Sequence, residues 1–119
     1  MPRIQLGEIA YARSGDKGAA SNIGVIAYTP AGFETLREIL TAKAVAGFFK
    51  GLTPSRVQRF ELPNLGALNF LLFDILDGGG SLSLRIDAQG KALGQALLEM
   101  EIEIGEDELK AARPGTPVA

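Results

Sequence analysis

No cysteine and no histidine occur among these 119 residues. Without cysteine the chain has neither a disulfide nor a thiolate metal site, and cytoplasm is the default compartment. Without histidine it lacks the usual zinc ligands, the commonest acid/base near neutral pH, and the Ser-His and Cys-His nucleophile pairs. Any catalysis must therefore use carboxylates, lysine, tyrosine or backbone amides. Aromatics amount to only 7%, and 12 Lys and Arg face 14 Asp and Glu, for a net charge of −2. No Lys/Arg cluster supplies the concentrated cationic face that phosphate-backbone binding needs, so nucleic acid is not an expected partner. No segment reaches the roughly 20 apolar residues of a membrane-spanning helix. The longest apolar stretch, "LGALNFLLFDIL", is interrupted by Asn69 and Asp74 and belongs to a core. The start, "MPRIQLGEIA", does not have the pattern of a secretory signal, and no membrane association is expected.

What is present is an ordinary globular composition, 46% apolar and 22% charged, of a length that fits one domain with a real core. Around Ile4 and Leu6 an imperfect period of two suggests a first strand. "IGVIAYT" is a short apolar run of β-formers bounded by Asn22 and by Thr29-Pro30, and predicts a strand over 22–29. Thr29 followed by proline has the pattern of a helix start, with Phe33, Leu36 and Leu40 on one stripe. A second start falls at Thr41, so one bent helix or two short ones fill 31–51. "RVQRFEL" alternates over 56–62, with Phe60 and Leu62 assigned to the core.

Residues 65–76 fit either a helix or a strand buried on both sides. Helix is preferred, because Asn64 can cap it and the glycines after Asp77 can end it. "SLSLRID" predicts a strand over 81–87, the stripe from Ala92 to Met100 a helix over 89–99, and "MEIEI" a last strand near 100–104. Together these predict an α+β domain over 1–104, a ferredoxin-like α/β sandwich with an added N-terminal strand, followed by a mobile tail over 105–119.

The segment "RSGDKGAASNIG", residues 13–24, concentrates three glycines with an acid, a base and an asparagine. Read functionally, "SGDKG" is a loop whose amides line an anion pocket with Lys17 supplying charge. Read as local structure, it is a plain turn between two strands. It lacks the spacer and the Gly-Lys-Ser/Thr end of a phosphate-binding loop, and it does not open a helix.

Four segments between about Leu6 and Met100, "LGEIAYARSGDKGAASNIGVIA", "ELPNLGALNF", "GGG" and "SLRIDAQGKALGQALL", carry a family resemblance. Through them the chain resembles the small AtuA-like domain with a ferredoxin-type fold. That domain is best known as the C-terminal part of acyclic terpene utilisation AtuA proteins and also occurs as a separate chain. The resemblance implies a larger AtuA-type partner chain and a link to breakdown of acyclic terpenes or branched acyl-CoA compounds. It carries over Ser14, Gly15, Asp16, Lys17, Gly18 and Asn22 from the first motif, Asn64 and Asn69 from the second, and Arg85, Asp87 and Lys91 from the third. The chain departs from the family pattern at Ala19 and Ala20, where a polar residue followed by threonine is expected, and at 73–77, "FDILD".

Asp16 and Lys17 are the candidate catalytic pair for proton transfer, against the bland reading of solvated loop charges. The others are candidates for ligand binding. Asn69, set among apolar residues, needs hydrogen-bond partners and can reach across to the "SGDKG" loop. Arg85 and Asp87 suit an ion pair or an anion-holding arginine aligned by the acid. An oxygen-ligated magnesium-type ion is compatible with the composition, but no carboxylate cluster has convincing spacing, and no metal or cofactor is expected. Three readings follow. The leading one is an accessory or ligand-binding module that acts with an AtuA-type chain on an acyl-CoA or carboxylate ligand. The others are a small hydratase- or lyase-type component using Asp16 and Lys17, and a homo-oligomeric module that buries one sheet face by self-association.

Overall fold

The computed structural model describes residues 2–17, 20–74 and 92–114. Its centre is a four-stranded antiparallel sheet of β2 (Ala10–Lys17), β3 (Ala20–Ala27), β4 (Arg56–Leu62) and β5 (Ala67–Phe73), in the order β2-β3-β5-β4. A separate two-stranded ladder pairs β1 (Arg3–Gln5) with β6 (Glu101–Glu103). Helices α1 (Pro30–Ile39), α2 (Ala42–Phe48), α3 (Ala92–Leu97) and α4 (Glu106–Ala112) complete the described elements.

Local chemistry starts the two consecutive helices. Thr29 Oγ1 accepts from the Gly32 amide at 2.9 Å with Pro30 at the first helical position, and Thr41 Oγ1 accepts from the Ala44 amide at 3.0 Å. The stretch 31–51 is thus two short helices, closed by a 3-10 turn at Lys50–Leu52.

Alternation along the strands divides the sheet into two faces. Ile23 and Val25 of β3 and Leu68, Phe70 and Leu72 of β5 are fully buried on the inner face, where Phe33 and Leu36 of α1, Val45 of α2 and Leu97 of α3 join the same core. On the outer face the register aligns the row Gly15–Asn22–Leu71–Gln58, then Arg13–Gly24–Asn69–Phe60, then Tyr11–Ile26–Ala67–Leu62. Tyr11, Phe60 and Leu62 on this side are 43%, 44% and 40% exposed.

Four expectations are corrected. Residues 67–73 form the central strand β5, not a helix: even-numbered positions enter the core while Asn69 and Leu71 stay half-buried on the outer side. Asn64 caps no helix; it lies in an exposed 3-10 turn, Pro63–Leu65, that ends at Gly66 with φ of 60°. Phe60 and Leu62 point outward, because the residues of β4 that share a face with Phe70 and Leu72 are Arg59 and Val57. Of the expected tail, residues 106–112 form α4, which buries Leu109 and Ala112; an added Cβ on Gly32 of α1 would lie 3.5 Å from the Ala112 Cβ. The expected strand over 81–87 and the glycines at 78–80 lie outside the described residues.

The edge of the sheet beside β3 is held by its own hairpin partner β2. The last strand, β6, turns instead to β1, with Ile4 opposite Ile102.

Candidate functional site

The segment read as a loop is mostly strand. Arg13 to Lys17 run along β2 and pair with Gly24 to Ala20 of β3, so the polar residues on either side of Gly18 and Ala19 belong to the strands of a hairpin. Ser14 faces inward: its Oγ accepts from the backbone N–H of Gly94 at 3.1 Å, tying β2 to the first turn of α3. Asp16 and Lys17 close the strand opposite Ser21 and Ala20. The proton-transfer role read for their side chains falls outside what is described, as do Gly18, Arg85, Asp87 and Lys91.

The two asparagines do meet. Asn22 Nδ2 donates to Asn69 Oδ1 at 2.8 Å across the two central strands, and both side chains are half-buried on the outer face. The bond uses one Asn22 N–H and one lone pair of the Asn69 oxygen, so Asn22 Oδ1 can still accept, and the Asn69 NH2 group still donate, to an incoming group. Asn64 lies away from this pair, in a cavity of about 430 Å³ between the start of α1 and the turn before β5, beside Tyr28 and Pro30.

Gly15 is directly opposite Asn22, and Gly24 directly opposite Asn69. Glycine inside a strand costs about 0.5–1 kcal/mol relative to alanine, so its presence there calls for a cause. Packing against the described residues does not supply one: a Cβ on Gly15 would meet nothing within 4 Å, and one on Gly24 would meet Asn69 Oδ1 at an ordinary 3.8 Å. The two glycines leave a shallow hollow beside the amide pair, of the kind found where a ligand or another backbone comes close.

Residues that composition and motif left unmarked surround this hollow. Tyr11 packs on Tyr28 with ring centroids 5.4 Å apart, Arg56 lies 4.4 Å above the Phe73 ring, and Arg13 is exposed beside Gly24. The signal for them was alternation: Tyr11, Arg13 and Gly15 share one face of β2, which becomes visible only once that segment is known to be a strand.

The chain matches the family model described as the AtuA ferredoxin-like domain over residues 4–103. It belongs to that family. The α+β architecture is accordingly the ferredoxin-like one, and the family match spans β1 through β6. Neither a curated protein nor a solved structure matches the chain. Among the described residues no group of three or more Asp and Glu is placed to hold a metal ion, and no helix is long and apolar enough to cross a membrane.

Proposed function

We propose that this AtuA ferredoxin-like domain is an accessory binding module. It acts with a larger AtuA-type chain and helps form an acyl-CoA or carboxylate site at their junction, in the catabolism of acyclic terpenes or branched acyl-CoA compounds. The observation that carries this reading is the hollow at Gly15 and Gly24 beside the Asn22–Asn69 pair. It combines open backbone, an unspent carboxamide donor and acceptor, and exposed aromatic and aliphatic side chains on one sheet face. Such a surface suits recognition of a main chain or of an amide- or carboxylate-bearing ligand better than bond-breaking chemistry, for which none of its described outer-face side chains forms an evident acid/base pair.

The test is co-purification with an AtuA-type chain, followed by thermal-shift screening of the complex against acyl-CoAs. Gly15→Val and Gly24→Val fill the hollow, so both are expected to keep the fold and lose association or ligand stabilisation. Failure of any AtuA-type chain to associate removes this reading. The variants Asp16→Asn and Lys17→Ala, assayed in parallel, address the hydratase- or lyase-type alternative: loss of turnover with association intact would replace the module by an enzyme component.

A further inference from the structure

Charge is not distributed evenly around this domain. Arg3, Arg37, Arg59 and Arg113 each face a carboxylate, of Glu101, Glu34, Glu61 and Glu8 respectively. Among the described residues Arg13 and Arg56 face none, and both belong to the outer face of the sheet, where Arg13 aligns with Gly24 and Arg56 with Phe73. No Asp or Glu occupies the described outer-face positions of the four strands, although the chain as a whole carries more acids than bases. The acids gather elsewhere, as in the groove between α1 and α4 lined by Glu34, Glu38, Asp107 and Glu108.

We infer that the outer sheet face docks a protein segment that is both apolar and acidic, supplied by the partner chain. This deepens the accessory-module reading and rests on it. Spacing favours a segment over a small ion. Neighbouring strands lie about 4.8 Å apart and each residue advances about 3.4 Å, so the Arg13 and Arg56 backbones sit about 20 Å from each other, across the diagonal of the face. One carboxylate or phosphate cannot reach both, whereas an extended or helical segment laid across the sheet does. Between them run the glycine hollow, the Asn22–Asn69 pair and the apolar Leu71, which supply the neutral middle of the contact, with Phe60 at its edge on β4.

A second copy of this chain is a poor occupant. Two such faces brought together would desolvate their arginines with no acid opposite, a costly arrangement for buried charge. Single-stranded nucleic acid is also disfavoured. The middle of the face offers Asn22, Gly24, Asn69 and Leu71 where base stacking needs aromatics, the Phe73 ring at the end of β5 lies under Arg56, and the net charge is −2.

The experiment has two arms. In the first, affinity for the AtuA-type chain is measured for Arg13→Glu with Arg56→Glu, and for Lys43→Glu with Lys110→Glu as a control on exposed helical positions, at low and high ionic strength. The outer-face pair is expected to weaken binding by about tenfold or more and to remove most of its salt dependence, the control pair to change neither. In the second arm, amide resonances of the isolated chain are followed during titration with a short peptide alternating Glu with Leu, and with a poly-uridine oligonucleotide. Peptide-induced shifts confined to outer-face residues support the inference. A complex indifferent to charge reversal, peptide shifts elsewhere or none, stronger shifts with the oligonucleotide, or self-association through this face would overturn it. Absence of any complex, with outer-face shifts on adding the peptide, would sink the proposed AtuA partnership and leave the docking surface for an acidic segment standing.

Discussion

Gly94 in α3 lies so close to β2 that a Cβ added to it would be 3.1 Å from the Ala12 Cβ, and its N–H donates to Ser14 Oγ at 3.1 Å. Helix and strand are in near contact at this point, and the Ala12 side chain cannot yield because it is itself only a methyl group. Gly94→Ala should therefore push α3 off the sheet and cost about 1–3 kcal/mol despite alanine's better helix propensity. Thermal or urea denaturation checks the sign: a stabilised Gly94→Ala variant would contradict this packing.

The amide bond between Asn22 and Asn69 predicts coupled substitutions. Asn22→Ala and Asn69→Ala should each lose about 1 kcal/mol, and the double variant should lose less than their sum by about 0.5–1.5 kcal/mol, since either single change already breaks the shared bond. A double-mutant cycle by chemical denaturation measures this. Strict additivity would mean that the two amides act independently.

Two phenylalanines on adjacent strands should behave oppositely. Phe70 is fully buried at the centre of the core, so Phe70→Ala is expected to cost about 3–5 kcal/mol. Phe60 is 44% exposed, and Phe60→Ala should change stability by only about 0.5 kcal/mol. Comparing the two denaturation midpoints tests which face of β4 and β5 is the interior.

Thr29 joins two helices through one oxygen. Its Oγ1 accepts from the Gly32 amide at 2.9 Å and donates to the Ala111 carbonyl of α4 at 2.8 Å. Thr29→Ala removes both bonds and should cost about 1–2 kcal/mol, while Thr29→Ser should recover most of the loss. Amide exchange in α4 provides a second readout, since loosening there distinguishes loss of the link from loss of the cap alone.

Much of the helical layer is legible in the sequence because its signals are local. Thr29-Pro30 and Thr41 start helices where threonine offers an oxygen to free amides, and the structure places both caps there. The sheet is harder to read. An alternating strand such as "RVQRFEL" announces two faces but not which one is inside, and the apolar side of β4 turned out to be the exposed one. In β5, Leu71 and Phe73 on the outer side make residues 70–73 a continuous apolar run that imitates a helix stripe. The serine, glycine and acid of β2 imitate a turn, and only pairing with β3 shows them to be strand. Helix α4 was missed because "EDELKAA" offers just Leu109 and small alanines to the interior, too little apolar surface to register against its charges. For the site, the need of Asn69 for a hydrogen-bond partner is legible among its apolar neighbours, but its partner is Asn22 of β3 and not the "SGDKG" segment. The unpaired arginines became apparent only from where the carboxylates are not.

The carboxamide bridge also bears on how the chain finds its native pairing. Sliding β5 by a single residue against β3 would swing Asn69 into the oily interior and throw Phe70 out to water, because side chains alternate strictly along a strand. Two central strands this rich in leucine and isoleucine have few other cues to alignment. The asparagines thus serve as a tooth and notch that make the correct offset energetically distinct from its neighbours, so that the same contact offered to a binding partner also selects the fold that presents it.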